Sequence, residues 1–202
     1  MAIAAREAGG VVRYTAVAIV LHWAIALGIL VLIAMGLVMD HLPLAPMRVF
    51  QLYQLHKSIG ITIMFLIVLR VGWRLTHAAP GLPESMKPVE RRAAHLTHAA
   101  LYGLQLLLPL SGWALVSASV LGIPTVLFSV VPWPDLPVLS TLADKAPAEA
   151  VLKIVHHWAA WSLLALIMLH VAAALRHHVI LHDNILRQML PAFGRRTLRQ
   201  GE

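Results

Sequence analysis

Four long apolar stretches, separated by polar and proline-containing segments, dominate the chain. Each is long enough to cross about 30 Å of hydrocarbon, which takes about 20 helical residues. Backbone groups in lipid must form their hydrogen bonds within the segment, so the pattern predicts helices rather than open strands. We therefore predict an all-α membrane protein, a four-helix bundle forming one domain over residues 1–202. The predicted spans cover about residues 14–39, 52–75, 95–119 and 151–177.

The segments between the predicted spans differ in length. Residues 40–46 and 80–88 form short connections, whereas the segment of about 120–150 is long and holds five prolines. Loops of this length are more often functional than idle. Its apolar stretch from Val126 to Val131 is too short to span the bilayer, and we interpret it as an interfacial or re-entrant piece covering one end of the bundle.

The composition agrees with a membrane protein and predicts its orientation. Hydrophobic residues make up 59% of the chain and charged residues 12%, whereas soluble domains carry about 25% charged residues. Twelve of the sixteen lysines and arginines fall on one side of the predicted bundle. By the positive-inside rule that side, which holds both termini, is cytoplasmic. The net charge of +7 therefore indicates topology rather than nucleic-acid binding. The four basic residues on the outer side are Arg48, Lys57, Lys145 and Lys153.

Histidine carries the candidate chemistry, because the chain has twelve histidines and no cysteine. His22, His56 and His170 lie inside apolar spans, and His156 lies near the start of the fourth span. An ionisable group inside a membrane is costly unless it has a partner. The predicted orientation sorts these residues by depth into an inner pair, His22 with His170, and an outer pair, His56 with His156.

The spacing on the fourth span predicts two sites, one in each leaflet. His156 and His170 are fourteen residues apart, which places them within about 40° of one helix face and about 21 Å apart. Two imidazoles suffice as protein ligands for haem iron, whereas a zinc site requires three or four. No C-x-x-C-H motif is present, which predicts non-covalent haem.

Two alternatives remain open from spacing alone. Each membrane histidine could instead make an ordinary interhelical hydrogen bond. His95 and His98, at the start of the third span, are rival ligands for the inner haem. His157 lies about 100° around the helix from His156, so we prefer His156 as the outer ligand.

Several motifs resemble the bacterial cytochrome b561 family and, within it, the superoxide:quinone oxidoreductases. The resemblance covers nearly the whole chain and is weakest in the long outer loop and after Pro191. The motifs are Leu21-His22-Trp23, His56-Lys57-Ser58-Ile59-Gly60, Pro109-Leu110-Ser111-Gly112-Trp113 and His170-Val171-Ala172-Ala173.

The resemblance implies a bundle in the bacterial inner membrane with two b haems. It implies iron ligation by His22 and His170 on the cytoplasmic side and by His56 and His156 on the periplasmic side. It further implies that superoxide arriving from the periplasm is oxidised and that ubiquinone accepts the electrons.

Four other residues are candidates for binding the cofactors. His177 lies two turns after His170, where it either hydrogen-bonds a quinone carbonyl or is an interfacial histidine. Arg13 and Arg74 are inner candidates for haem propionates. Lys57 is the outer candidate, for a propionate or for attracting superoxide electrostatically, and its alternative is an ordinary interface lysine.

Three functions compete at this point. The first is an oxidoreductase that takes electrons from superoxide and reduces ubiquinone through haem. The second is a cytochrome b relay subunit that links a periplasmic dehydrogenase or c-type cytochrome to the quinone pool. The third is a histidine-lined metal-ion transporter, which the lack of carboxylates in the predicted spans disfavours.

Overall fold

The computed structural model of the protein describes residues 7–8, 11–82 and 86–191. Its four long helices are each long and apolar enough to cross a membrane. This confirms the predicted all-α bundle. Four arginines used in the predicted orientation, Arg6, Arg195, Arg196 and Arg199, lie outside the described residues. The long helices are α1 (Ala16–His41), α2 (Pro46–Thr76), α3 (Pro88–Ser117) and α5 (Ala146–Val179).

Three of these helices begin five to seven residues before the predicted spans. Each has a proline in its first turn, where the missing N–H has no intrahelical acceptor to lose. The apolar pattern marks the part of a helix that faces hydrocarbon, and the helix itself continues into the interface. As a result Glu149, which the sequence analysis placed in the outer loop, lies in the first turn of α5.

Short elements complete the fold. Strands β1 (Glu7–Ala8) and β2 (Val11–Val12) pair before α1, and α6 (Ile185–Met189) follows α5. In the long outer segment, β3 (Thr125–Leu127) and β4 (Val131–Trp133) form an antiparallel hairpin, followed by α4 (Pro137–Ser140). The apolar stretch that we interpreted as interfacial or re-entrant is therefore a β-hairpin.

The hairpin and the residues after it lie against the outer halves of α2 and α3. The Phe128 N–H donates to Ser58 Oγ at 2.9 Å, and Trp113 Nε1 donates to the Pro134 carbonyl at 2.8 Å. The ring of Trp133 contacts both Trp113 and Phe65. Phe65 lies nineteen residues into α2, so the hairpin side chains reach well below the outer end of the bundle.

The buried core lies at mid-depth. Close backbone packing joins α3 to α5, α1 to α2 and α2 to α3. Gly28 permits the approach of α1 to α2, because a Cβ there would clash with the Ile63 side chain. Leu163 is seven residues from both His156 and His170, so the core lies between the two histidine pairs. Its fully packed members are Ile25, Ile29, Ile63, Ile67, Leu101 and Leu163.

Candidate haem sites

The outer pair consists of one histidine from α2 and one from α5. His56 and His156 each lie ten residues after the first residue of their helix, which places them at a common depth. Their ring centroids are 6.4 Å apart and their planes differ by 69°. An iron bonded to one nitrogen of each ring at about 2 Å requires a centroid separation of about 6 Å. The spacing therefore fits a metal held between the two imidazoles.

Helix α3 supports the outer pair without supplying a ligand to it. Ser111 Oγ lies 3.0 Å from His156 Nδ1 and is 5% exposed. A Cβ on Gly112 would lie 3.2 Å from His156 Cε1, so the absence of a side chain there leaves room for the imidazole. From the sequence alone, Ser111 belonged only to a motif that carries the family resemblance and had no predicted role.

A cavity of about 1170 Å³ adjoins the outer pair and is lined by all four long helices. Gly36 and Gly60 line it, and a Cβ at either position would meet no atom within 4 Å. His56 Nδ1 and Gln105 Oε1 are buried without a hydrogen-bond partner among the described residues. Buried polar atoms are costly unless a partner satisfies them. Open space, apolar walls and two facing imidazoles together fit a large flat cofactor such as haem.

The inner pair joins α1 to α5. His22 lies six residues after the start of α1, and His170 lies nine residues before the end of α5. Their ring centroids are again 6.4 Å apart, with an interplanar angle of 65°. The structure thus brings together the histidines that the predicted depths paired, and the inner spacing also fits an iron between two rings.

His98, a rival ligand in the sequence analysis, contacts the inner pair from α3. Its ring centroid lies 5.4 Å from that of His170, which is shorter than the separation of about 6 Å that an iron between two imidazoles requires. This geometry favours His98 as an edge-on neighbour of His170 and His22 as the residue facing it across a metal.

Arg70 is the inner arginine that the sequence analysis passed over. It lies close enough to interact electrostatically with His22, His98 and His170, and its Nε donates to the Tyr102 hydroxyl at 3.3 Å. Its position one turn closer to the membrane centre than Arg74 was the signal available in the sequence.

The two arginines predicted to bind propionates bond to backbone at the inner end. Arg13 Nη1 donates to the Leu190 carbonyl at 3.3 Å, and its buried Nε has no partner among the described residues. Arg74 Nη1 donates to the His77 carbonyl at 3.4 Å. Burial raises the pKa of the neighbouring Tyr14 phenol, so this end presents neutral and cationic donors to an anion.

His177 has a partner that the sequence analysis did not identify. Its Nδ1 lies 2.5 Å from Asp183 Oδ2, and its side chain is 12% exposed. The other carboxylate oxygen of Asp183 accepts the Ile185 N–H at 3.1 Å, which fixes the carboxylate at the turn between α5 and α6. The imidazole is therefore oriented by a carboxylate and has Nε2 left for another group.

Lys57, the outer candidate, lines the cavity beside His56. Its Nζ lies 3.5 Å from the Pro124 carbonyl, a distance at the limit of a hydrogen bond. The ammonium also lies within electrostatic range of Asp135, so it has one weak hydrogen bond and one acidic neighbour.

Comparison with known proteins identifies relatives over nearly the whole chain. A family model described as prokaryotic cytochrome b561 matches residues 13–192. Cytochrome b561 homolog 2 of Escherichia coli (strain K12) is 36% identical over 178 residues, 88% of this chain and 91% of the relative. The probable superoxide oxidase CybB of Yersinia pestis is 30% identical over 181 residues, 89% of this chain and 96% of the relative. Cytochrome b561 homolog 1 of the same Escherichia coli strain is 27% identical over 181 residues, 89% of this chain and 97% of the relative.

Proposed function

The chain belongs to the prokaryotic cytochrome b561 family, whose members bind haem b and transfer electrons in membranes, and we propose that it moves electrons from periplasmic superoxide to ubiquinone. The observation that carries the proposal is the presence of two histidine pairs at two depths, each with ring centroids 6.4 Å apart. Both pairs include a residue of α5, so the two sites share one helix. A relative of similar length carries the name probable superoxide oxidase, which supports the choice of donor.

In this proposal the chain holds two haem b groups. His22 and His170 hold the inner haem, and His56 and His156 hold the outer one. Bis-histidine haem supplies one-electron transfer without an open iron coordination position. The apolar core between the pairs, with Leu163 midway along α5, excludes water from the path between the sites.

The outer residues attract the donor in this proposal. Superoxide is an anion that loses one electron and leaves as dioxygen, so this half-reaction requires no proton. Lys57 places a positive charge in the lining of the outer cavity, where a cation raises the local concentration of an anionic substrate.

The inner residues bind the acceptor and supply protons. Ubiquinone gains two electrons and two protons to become ubiquinol, while two superoxide ions become two dioxygen molecules. His177 is oriented by Asp183, so its Nε2 can hydrogen-bond a quinone oxygen and pass a proton to it. Arg13, Arg74 and Arg70 supply the cations that haem propionates need at this end. The proposal places the protein in the bacterial inner membrane with both termini in the cytoplasm.

A spectroscopic assay of the purified protein in detergent tests this proposal. We expect two b-type haems per chain, prompt reduction of the oxidised haems by superoxide, and ubiquinol formation when ubiquinone is present. Superoxide dismutase added beforehand should abolish both signals. A colourless protein, or one haem per chain, would contradict the ligand assignment.

A periplasmic relay is the second candidate, and the outer hairpin favours it. Phe128, Val130 and Val131 are 56%, 77% and 53% exposed, so a partner protein has an apolar surface to contact on this side. Under the relay hypothesis superoxide leaves the haems oxidised, and a periplasmic dehydrogenase or c-type cytochrome reduces them instead. The same assay with each donor separates the two functions.

A further inference from the structure

We propose that Ser111 is a positioning residue for the outer haem, fixing the tautomer of His156 and increasing the electron donation of its imidazole to iron. The inference rests on the proposed haem ligation by His156. It assigns a role to α3, which supplies no ligand in that proposal. The observation behind it is the hydrogen-bond chain from His156 through Ser111 to the Leu108 carbonyl.

The direction of the two hydrogen bonds follows from proton count. Ser111 Oγ donates to the Leu108 carbonyl oxygen at 2.9 Å, so the serine has no second proton to give to His156. The serine oxygen must then accept from His156 Nδ1 at 3.0 Å, and the ring proton is on Nδ1. His156 Nε2 is therefore unprotonated and available to a metal.

The sequence around Ser111 holds this arrangement in place. Gly112 leaves the space that the His156 ring occupies, since a Cβ there would lie 3.2 Å from Cε1 and 3.5 Å from Nδ1. Ser111 is itself buried, so water does not compete for the hydrogen bond. One short segment thus positions the ring both sterically and by hydrogen bonding.

The two outer imidazoles are inequivalent as a result. His56 Nδ1 is buried and has no hydrogen-bond partner among the described residues, whereas His156 Nδ1 has one. A ligand histidine that donates its second N–H becomes more basic toward the metal. Stronger donation favours the more positively charged, oxidised iron. The Ser111 hydrogen bond is therefore expected to lower the midpoint potential of the outer haem.

Potentiometric titration of the haem-loaded protein tests this inference, with Ser111→Ala and Ser111→Thr compared. The outer haem is identified as the component that His156→Ala removes. We expect Ser111→Ala to shift the outer midpoint to a higher potential and leave the inner midpoint unchanged. Ser111→Thr keeps a hydroxyl and is expected to retain the original value. Selective loss of the outer haem in Ser111→Ala, with retention in Ser111→Thr, would equally support positioning.

Ser117→Ala is the matched control, because Ser117 is a buried serine on the same helix that bonds to Trp113 and Leu136 instead of a histidine. It should leave both midpoints in place. An unchanged outer midpoint in Ser111→Ala, an equal shift of both haems, or an equal shift in Ser111→Thr would overturn the inference. Any of these three outcomes leaves the proposed function intact, provided that the unmodified protein binds two haems. Absence of haem in the unmodified protein would instead contradict both the proposed function and the inference about Ser111.

Discussion

The outer and inner histidine pairs have the same ring separation but different surroundings. The outer pair adjoins a cavity of about 1170 Å³, and a neutral hydroxyl, that of Ser111, contacts one of its rings. The inner pair has a third imidazole, His98, against one ring and the guanidinium of Arg70 within electrostatic range.

Under the proposed haem ligation, this difference gives the two sites unlike potentials. A nearby positive charge favours the reduced, less positive iron, so Arg70 should raise the midpoint of the inner haem. The Ser111 hydrogen bond should lower that of the outer haem. Both effects make electron transfer from the outer to the inner site downhill, the direction that the proposed function requires.

Removing one ligand from each pair is the largest change that can separate the two sites. His22→Ala or His170→Ala should lose the inner haem and spare the outer one, and His156→Ala should do the reverse, because each substitution removes one of the two protein ligands proposed for that iron. Haem-to-protein ratios and redox titration measure this outcome. His157→Ala is the control, since that neighbour of His156 is exposed, and it should keep both haems. Loss of only the outer haem in His22→Ala would contradict the pairing.

His177→Ala tests whether His177 supplies protons to ubiquinone at the inner site. We expect ubiquinone reduction to fall by about 100-fold, the usual size of a general acid–base contribution, with both haems still bound and still reduced by superoxide. Stopped-flow spectroscopy separates haem reduction from haem reoxidation by quinone. His178→Ala is the control, in which quinone should reoxidise the haems at the normal rate. If His177→Ala also does so, the histidine is an interfacial residue without a role in quinone reduction.

Arg70→Leu tests whether the positive charge of Arg70 raises the midpoint potential of the inner haem. Loss of this charge should make reduction of the inner haem less favourable, and its midpoint potential correspondingly lower, by about 2 kcal/mol, the size of a unit-charge interaction over about 8 Å at an effective dielectric constant of about 20. The outer midpoint should not move. Arg70→Lys keeps the charge and should restore most of the difference. Equal movement of both midpoints would indicate a general structural change instead of a local field.

Lys57→Ala should have the smallest effect and act on the outer side only. Because one charge contributes part of electrostatic steering, we expect superoxide-driven haem reduction to slow by about 2- to 5-fold at low salt. The difference from the unmodified protein should shrink as ionic strength rises, and Lys57→Arg should behave like the unmodified protein. A rate defect independent of salt would indicate a contact with the haem.

The sequence was sufficient for those features that depend on position along a helix. Apolar length predicted four membrane-crossing helices, and the structure confirms four helices that are long and apolar enough to cross. Depth, counted from the predicted orientation, grouped His22 with His170 and His56 with His156, and these are the pairs that meet in the structure. Helix ends were less well predicted, because the helices of Pro46, Pro88 and Ala146 begin in interfacial sequence that carries no apolar signal.

Contacts between helices were not predictable in the same way. Ser111 is 45 residues from His156, and its apolar helix gives no sign of which face points at α5. Arg70 was grouped with the other inner arginines because charge counts do not distinguish a side chain near His170 from one at the surface. Asp183 follows His177 closely in sequence, but the turn that joins them forms only once α5 ends.

The linear pattern of apolar and polar residues thus determined that this chain has four helices able to cross a membrane and where along each helix its histidines lie. Hydrophobicity sets depth, since each residue's transfer free energy depends on its own position along the bilayer normal. The rotation and spacing of the helices were decided only by tertiary packing, through close approaches such as Gly28 against Ile63 and Gly112 against His156. Those approaches fix which side chains surround each imidazole, and with them the difference between the two sites.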